Sequence, residues 1–327
     1  MDIVGGARPV RWGIMGTANI ARGQFLPALR SAGGAAEAVA SRDADSAEQY
    51  AAANGVARAV TGYQTLIDDP DVDALYIALP NSLHADWTIA ALQAGKPVLC
   101  EKPLTGSLSD TRRVLDVARQ TGTLLWEAFV FPFHDQMTRV RGTLASGAIG
   151  ELREIQSDFY FRVTRPNNIR LFADLQGGAL NDVGCYPIRL AFELFGRAHE
   201  HAWASCVPGG HGVDLESIAV LGYGDGRSLV LSCGMNRRYD TFTRLLGSDG
   251  EIRMTNPFHP SSSDRVEVIG REDESSAAAP LGEPSFTACI RHIQAVLAGR
   301  EEPRQLAVDT ALPTAQALHD LHSQLGL

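Results

Sequence analysis

Short apolar runs alternate with helical stretches from the start of the chain to about residue 125. The runs that predict buried strands cover residues 10–15, 36–41, 74–79 and 97–100, with a last one at 124–131. The stretches at 45–54, 84–94 and 109–120 are amphipathic or rich in alanine and predict helices. Strand–helix–strand alternation of this kind indicates a parallel sheet with right-handed crossovers. We therefore expect an α/β fold that begins with a doubly wound parallel sheet.

After about residue 150 the pattern changes. Strand-like segments with short Gly-rich connections cover 152–162, 201–207, 215–223, 228–235 and 241–246 and predict a largely antiparallel sheet. A helix entered through Asp182 covers 183–195, and two closing helices cover 284–298 and 309–325. Residues 261–282, rich in Ser, Glu, Asp and Ala, predict a mobile surface loop. We expect two domains, 1–127 and 128–327, and the last helix is a candidate to pack back on the first domain.

Composition excludes several classes of protein. The chain has 327 residues, 45% of them hydrophobic and 20% charged, which is typical of a globular protein with room for two cores. A net charge of −9 argues against a nucleic-acid partner. No apolar run reaches the roughly 18 residues of a membrane helix, and residues 1–11 do not resemble a signal peptide, so we expect a cytoplasmic protein. The five cysteines form no C-x-x-C pair, and we assign no metal.

The tripeptide Glu101-Lys102-Pro103 follows an apolar run, so it lies where a strand leaves its sheet. In open parallel sheets this carboxyl edge is where ligands bind. Lysine is rarely buried unless it is paired or functional, and Pro103 keeps Lys102 out of the helical region. A salt bridge closing a loop is the alternative. We predict that Glu101 and Lys102 lie beside a bound cofactor.

A strand, a glycine turn and a helix start open the chain, as a dinucleotide site requires. Gly16-x-Ala18-x-x-Ala21 is a variant of the G-x-G-x-x-G/A fingerprint, with Gly16 for the tight turn and Ala18 in place of the second glycine. We predict that the cofactor-binding turn consists of Gly16, Thr17, Ala18, Asn19 and Ile20. With the Glu-Lys-Pro segment, it indicates a nicotinamide-dependent oxidoreductase.

The second predicted strand ends in Ser41-Arg42, and a hydroxyl with a guanidinium suits the 2′-phosphate of NADP(H). NAD(H), with Asp43 on the ribose, is the alternative. The third strand ends in a further candidate cofactor segment, which comprises Leu79, Pro80, Asn81 and His84. This segment starts a helix at the same sheet edge, although Asn81 and His84 could serve only as capping and helix residues.

With these residues in view, the sequence resembles the Gfo/Idh/MocA family of oxidoreductases over nearly its whole length. The anchors are residues 13–21, 40–42, 79–84, 101–103 and 177–187. In the last of these, Asp182-x-Gly-x-Tyr186 matches a family segment that lines the substrate pocket. The tyrosine version resembles the branch of dimeric dihydrodiol dehydrogenases, NADP-dependent D-xylose dehydrogenases and glucose–fructose oxidoreductase. The resemblance implies a Rossmann domain and an open-faced mixed sheet whose exposed side makes a homodimer or homotetramer.

The resemblance also implies that Lys102 and Tyr186 meet at one carbonyl carbon. We assign Tyr186 as the acid/base and Lys102 as the partner that lowers the pKa of the phenol, with Lys102 donating through water as the alternative. Asp182 lies one turn before Tyr186 and could bind a substrate hydroxyl, pair with Lys102 or cap the helix. Arg170 and Phe129 are further candidate substrate contacts.

Four positions depart from the family pattern near the expected pocket. They are Pro132, Asp135, Asn181 and Arg189, and they put an unmodified pentose or hexose substrate in doubt. We expect an NADP-dependent oxidoreductase acting on a small sugar or polyol. The alternatives are a nucleotide-sugar ketoreductase of a deoxysugar pathway, a glycosidase that cycles bound NAD, and a non-catalytic sensor.

Overall fold

A computed structural model of the protein describes residues 8–261, 264–270, 274–277 and 282–326. The first part of the chain forms a six-stranded parallel sheet of order β3-β2-β1-β4-β5-β6. Its strands are β1 (Arg11–Met15), β2 (Ala35–Ser41), β3 (Arg58–Thr61), β4 (Ala74–Ile77), β5 (Val98–Cys100) and β6 (Leu125–Glu127). The strand order reverses between β1 and β4, which is where a doubly wound sheet opens a ligand crevice. The predicted parallel sheet is confirmed.

Helices cover both faces of this sheet. They are α1 (Leu26–Ser31), α2 (Ala44–Asn54), α3 (Tyr63–Ile67), α4 (Asn81–Gln93) and α5 (Leu108–Thr121), and a π-helical turn, Ala21–Phe25, precedes α1. Asp43 and Ser107 cap α2 and α5 by accepting backbone N–H groups. Strand β3 and helix α3 were not predicted, because β3 is a short edge strand with exposed residues at both ends and gives no clear apolar run.

The second part of the chain forms an eight-stranded sheet of order β14-β13-β12-β11-β7-β10-β9-β8. Its strands are β7 (Leu152–Arg162), β8 (His201–Pro208), β9 (Asp214–Gly222), β10 (Ser228–Gly234), β11 (Asn236–Gly247), β12 (Glu251–Met254), β13 (Val266–Ile269) and β14 (Glu274–Ala277). Neighbouring strands are antiparallel except β7 and β10, which are parallel. A mostly antiparallel second sheet is therefore confirmed.

The second part of the described chain also contains the helices α6 (Asp135–Ala145), α7 (Cys185–Phe195), α8 (Ser285–Leu297) and α9 (Ala307–Leu325). Two expectations were wrong here. The strand predicted at 124–131 ends at Glu127, and Pro132 lies in a 3₁₀ turn that leads into α6. Strands β13 and β14 lie inside the predicted loop 261–282, whose residues 262–263, 271–273 and 278–281 are outside the described part.

The closing helices contact both sheets. Phe286, Cys289 and Ile290 of α8 pack with Trp12 and Phe25 beneath the first sheet. Helix α9 joins the core on the other face of that sheet near its start and the core of the second sheet near its end. The two sheets are thus held on either side of one cleft. In the described ranges, no helix is long and apolar enough to cross a membrane.

Candidate active site

A cleft of about 1110 Å³ lies at the carboxyl ends of β1, β4 and β5 and faces the second sheet. Most of the residues singled out in the sequence line it. These are Gly16, Thr17, Ala18, Asn19, Ile20, Leu79, Pro80, Asn81, Glu101, Lys102, Arg170, Asp182 and Tyr186. Residues more than 80 positions apart in sequence are thereby gathered along one surface. Ser41, Arg42, His84 and Phe129 are not among the cleft-lining residues.

The glycine turn after β1 has the shape that a pyrophosphate needs. Gly16 has a φ of 100°, and a Cβ there would lie 2.8 Å from the Ala78 carbonyl oxygen. Only glycine suits this position. Thr17, Asn19 and Ile20 are exposed just before the following helical turn and line the cleft, and backbone N–H groups at a helix start favour a bound anion. These residues fit the phosphate part of a dinucleotide.

Ser41 and Arg42 end β2 just outside this wall. Arg42 is exposed and lies close enough to Tyr63, a cleft-lining residue, for its charge to act on that phenol. Asp43, the alternative ribose ligand, instead accepts the backbone N–H of Ser46 at 2.8 Å and caps α2. The Asp43 carboxylate is thus occupied by the helix cap, whereas the Arg42 guanidinium remains exposed near the cleft. This arrangement favours a phosphate over a ribose hydroxyl at the end of β2.

Asn81 and His84, both on α4, make different contacts. The Asn81 side chain donates to the carbonyl oxygen of Gln176 at 2.8 Å and so joins α4 to the segment beneath the second sheet. His84 is fully buried, with ring nitrogens 3.0 Å from the Pro103 carbonyl oxygen and 2.9 Å from that of Leu79. His84, expected to touch a cofactor, has its side chain outside the cleft lining. It holds together the two loops that do line the cleft.

Lys102 meets Asp182 at the base of the cleft. Its Nζ donates to the Asp182 backbone oxygen at 2.6 Å and to a carboxylate oxygen at 3.0 Å. The other carboxylate oxygen accepts from Arg170 at 2.6 Å. Burial would raise the pKa of Asp182, but the two cations lower it to about 2. Burial would likewise lower the pKa of Lys102, and Asp182 outweighs it and raises the value. Both side chains are therefore charged at neutral pH.

Tyr186 lies on the first turn of α7, and the Lys102 Nζ is 5.0 Å from its ring centroid. Burial raises the pKa of the phenol above its usual 10, although Lys102 acts in the opposite direction. The expectation of a lowered pKa is thus wrong, because desolvation of a side chain only 6% exposed outweighs the ammonium. Tyr186 holds its proton at neutral pH.

Glu101 completes the cleft floor. It accepts a hydrogen bond from the Tyr76 hydroxyl at 2.5 Å, and burial raises the pKa of its carboxyl. Tyr76 lies in β4, and its ring stacks on Phe25 with centroids 3.9 Å apart. No local sequence pattern indicates this contact, since it joins two neighbouring strands through a buried tyrosine.

Phe129 and Arg189 lie behind the cleft, and neither contacts it. Phe129 is 1% exposed and packs edge-on against Tyr186, with centroids 5.3 Å apart. Arg189 lies over Phe129 and donates to Glu193 at 2.8 Å, and its Nη1 is 3.6 Å from Glu127. Phe129, expected to touch substrate, lies outside the cleft lining, and its ring supports Tyr186 from within the core.

The other unusual positions also have structural partners. Asn181 donates to the carbonyl oxygens of Gln176 and Gly177, both at 3.1 Å, and fixes the turn before α7. Asp135 is the first residue of α6, where a carboxylate complements the helix dipole. Neither residue lines the cleft.

Sequence reasoning missed an aromatic wall on the second-sheet side of the cleft. This wall consists of Phe159, Phe161, Tyr239 and His259, with Pro260 next to His259. Phe159 and Phe161 alternate along β7 and so point to one face, which is a readable signal. His259 comes from the loop after β12, and nothing in the sequence connects it to Tyr186. Within the described residues, no cluster of three or more potential metal ligands occurs.

A glycine turn for a dinucleotide and a Lys102–Tyr186 pair in one cleft are the site of a dinucleotide-dependent oxidoreductase. Comparison with protein families shows which family the chain belongs to. Residues 10–129 match the Gfo/Idh/MocA oxidoreductase family, NAD-binding Rossmann fold, and residues 137–253 match the Gfo/Idh/MocA C-terminal domain. The chain belongs to the Gfo/Idh/MocA family of nicotinamide-dependent sugar oxidoreductases, which confirms the resemblance seen in the sequence.

Several individual proteins are similar to this chain over most of their length. The chain is 42% identical to a dTDP-3,4-didehydro-2,6-dideoxy-alpha-D-glucose 3-reductase of Streptomyces violaceoruber, over 79% of this chain and 76% of that protein. It is 34% identical to D-xylose 1-dehydrogenase (NADP(+)) 2 of Haloferax volcanii, over 80% and 81% of the two chains. The crystal structure of KijD10, a 3-ketoreductase from Actinomadura kijaniata in complex with NADP and TDP-benzene, matches with a TM-score of 0.88 and 34% identity, over 97% and 98%.

Proposed function

We propose that the protein is an NADPH-dependent ketoreductase acting on a nucleotide-linked deoxysugar. The observation that carries this proposal is the protonated phenol of Tyr186 beside the Lys102 ammonium, at the end of a cleft shaped for a dinucleotide. A group that keeps its proton at neutral pH is suited to be the acid in a reduction. The similarity to a dTDP-sugar 3-reductase and to a structure that holds NADP and TDP-benzene supports the same reading.

The cofactor would lie along the first sheet. Gly16, Thr17, Ala18, Asn19 and Ile20 would hold its pyrophosphate through backbone N–H groups. Ser41 and Arg42 would bind the 2′-phosphate, and Leu79, Pro80, Asn81, Glu101 and Lys102 would border the nicotinamide. NADPH, when bound, supplies the hydride. We place the division between the cofactor and substrate domains after Glu127, where β6 ends.

The protein's own groups handle the proton and the charge. Tyr186 donates its hydroxyl proton to the carbonyl oxygen as that oxygen gains negative charge. The Lys102 ammonium stabilises the same oxygen, and it acts at low cost because it is already oriented. Asp182 keeps Lys102 charged and in place through two hydrogen bonds. Arg170 in turn holds the carboxylate, so these side chains form one preorganised unit.

The remainder of the cleft suits a sugar with few hydroxyls joined to a phosphate group. Phe159, Phe161 and Tyr239 form an apolar wall beside Tyr186. Lys102, Arg170 and Asp182 are already paired with one another, which leaves little polar surface for sugar hydroxyls. Arg165 is exposed on the cleft and has no ion-pair partner among the described residues, so it could bind a pyrophosphate.

The second sheet carries the proposed contact between subunits. Trp203, Val207 and Ile218 are about half exposed on β8 and β9, at 54%, 51% and 48%. Large apolar side chains grouped on one sheet face are typical of an interface. They support the expected homodimer or homotetramer.

The first experiment follows NADPH oxidation with a dTDP-linked 3-keto-6-deoxyhexose and with free sugars. We expect turnover of the nucleotide-linked ketone and a loss of about 10²-fold or more in Tyr186→Phe, with NADPH affinity kept. Tyr239→Phe, which alters another tyrosine of the same cleft, is the matched control and should remain active. NADP⁺-dependent oxidation of free xylose without ketone reduction would instead indicate an aldose dehydrogenase. Near-normal turnover in Tyr186→Phe would move the acid elsewhere.

A further inference from the structure

His259 is held in a fixed position at the edge of the cleft. It lies in the loop between β12 and β13, where Asn256 accepts its backbone N–H at 3.2 Å and donates to its carbonyl oxygen at 2.6 Å. The preceding residue, Phe258, is fully buried and stacks on Phe159 with centroids 5.6 Å apart. The loop therefore presents the imidazole rigidly, although the side chain itself is exposed to the cleft.

The imidazole contacts the hydroxyl of Tyr186. Nε2 lies 3.4 Å from Oη, and the ring centroids are 5.4 Å apart. In the described part of the chain, no other hydrogen bond to this hydroxyl is found. Tyr186 is only 6% exposed, whereas His259 reaches the water of the cleft. The imidazole is thus the group that touches both the buried phenol and solvent.

Each reduction would leave Tyr186 without its proton, and a bound sugar would cover the phenol from the cleft side. Lys102 is poorly placed to restore that proton, because its ammonium donates to two oxygens of Asp182 and those would lose their donor. We propose that His259 is the proton-relay residue of this reductase and returns a proton from solvent to Tyr186 Oη. This inference rests on the function proposed above.

The relay is balanced in protons. Tyr186 gives its O–H proton to the substrate oxygen, which becomes a hydroxyl group. The Nε2–H of His259 then passes its proton to the phenolate, and Nδ1 takes one from water or a buffer acid. Proton exchange with water then returns the ring to the Nε2–H tautomer for the next turnover. The charged or titratable groups that face the imidazole are Lys102 from the loop after β5, and Asp182 and Tyr186 from the α7 segment. Loss of hydration beside the cleft wall and the Lys102 charge lower the pKa of His259, so the ring is neutral at neutral pH and can both accept and donate.

The test compares the wild-type protein with the His259→Ala and His259→Gln variants, all as full-length chains. In His259→Ala we expect kcat to fall about tenfold or more at low buffer concentration, with KM for NADPH unchanged. Added imidazole should restore turnover, because it can fill the vacated site and carry the proton. His259→Gln keeps an amide N–H beside Oη but cannot relay, so it should be slow and insensitive to imidazole. His201→Ala, an exposed histidine of β8, is the control and should behave as wild type.

Two results would overturn the relay while leaving the reductase intact. One is wild-type turnover in His259→Ala at every buffer concentration while Tyr186→Phe is inactive. The other is full activity in His259→Gln, which would reduce the role of His259 to orienting the phenol.

A second measurement needs no substrate. In ¹⁵N-histidine NMR spectra, with the His259 resonances assigned by their loss in His259→Gln, Tyr186→Phe should change the tautomer balance and titration of His259. Unchanged His259 resonances would overturn the contact even if the protein reduced no sugar tested.

Discussion

Two carboxylates meet cations between the two sheets, one in the cleft and one behind it, and their pKa values shift in opposite directions. Asp182, facing Lys102 and Arg170, has its pKa lowered to about 2. Glu127, facing Arg189, has its pKa raised to about 7 by burial. Both pairs join the end of a strand in the first sheet to the helix that carries Tyr186. Proximity to a cation therefore does not by itself keep a carboxylate charged.

The difference lies in hydrogen bonding. Asp182 accepts direct bonds at 3.0 and 2.6 Å, from Lys102 and Arg170. Glu127 uses one oxygen for the Leu104 N–H at 2.7 Å, and its other oxygen is 3.6 Å from Arg189 Nη1. Neither of those last two atoms has a hydrogen-bond partner among the described residues. The cleft pair is thus built to hold charge for chemistry, whereas the pair behind it ties the Lys102 loop to α7.

Lys102→Met should produce the largest effect, and on catalysis. Asp182 keeps Arg170 as a partner, so we expect the free energy of unfolding to change little. Turnover should fall about 10²-fold or more, because the charge that stabilises the developing alkoxide is lost. Steady-state kinetics and urea unfolding of the same preparation measure both quantities. A loss of stability as large as the loss of activity would erase the distinction between the two pairs.

Arg189→Met should show the reverse pattern. It leaves Glu127 without its cation in the core, and we expect about 3 kcal/mol of lost stability. Turnover of the folded protein should stay within about tenfold of wild type, since Arg189 touches no cleft atom. Arg141→Met is the matched control, because Arg141 also pairs with Glu193 but is 39% exposed, and it should cost at most about 1 kcal/mol. Equal losses in the two variants would contradict this account.

Glu127→Gln should give the smallest effect, visible as a pH dependence. The pKa of Glu127 is about 7 in the folded protein and 4.5 in a model peptide. Between those values the folded state binds more protons, so this group's contribution to stability declines as pH rises. The free energy of unfolding of wild type minus that of the variant should therefore fall from about pH 5 to about pH 8. The Asp182 titration is common to both proteins and lies below this range. A flat or rising difference would show that Glu127 stays ionised.

The same contrast explains what the sequence could predict. The Gly16 turn, the position of Lys102 at a strand end, and the one-turn spacing of Asp182 and Tyr186 depend on local patterns, and the structure places these residues together. Pairs that join distant segments left no local signal, as with Tyr186 and His259. His84 and Phe129 are buried outside the cleft lining, although their motifs suggest a place in it, because burial depends on the packing of α4 and α7. The raised pKa of Tyr186 has the same origin, since the sequence motif indicates the nearby Lys102 charge but not the desolvation that outweighs it.

We propose that this cleft transfers hydride between a nicotinamide and a carbon of a nucleotide-linked sugar. The most direct measurement incubates the enzyme with NADP⁺ and a stable dTDP-linked 6-deoxyhexose deuterated at C3, and follows the label by mass spectrometry. We expect deuterium in the NADPH formed, at a rate that depends on Lys102 and Tyr186. Unlabelled NADPH, or no NADPH from any nucleotide-linked sugar while free xylose is oxidised, would contradict it.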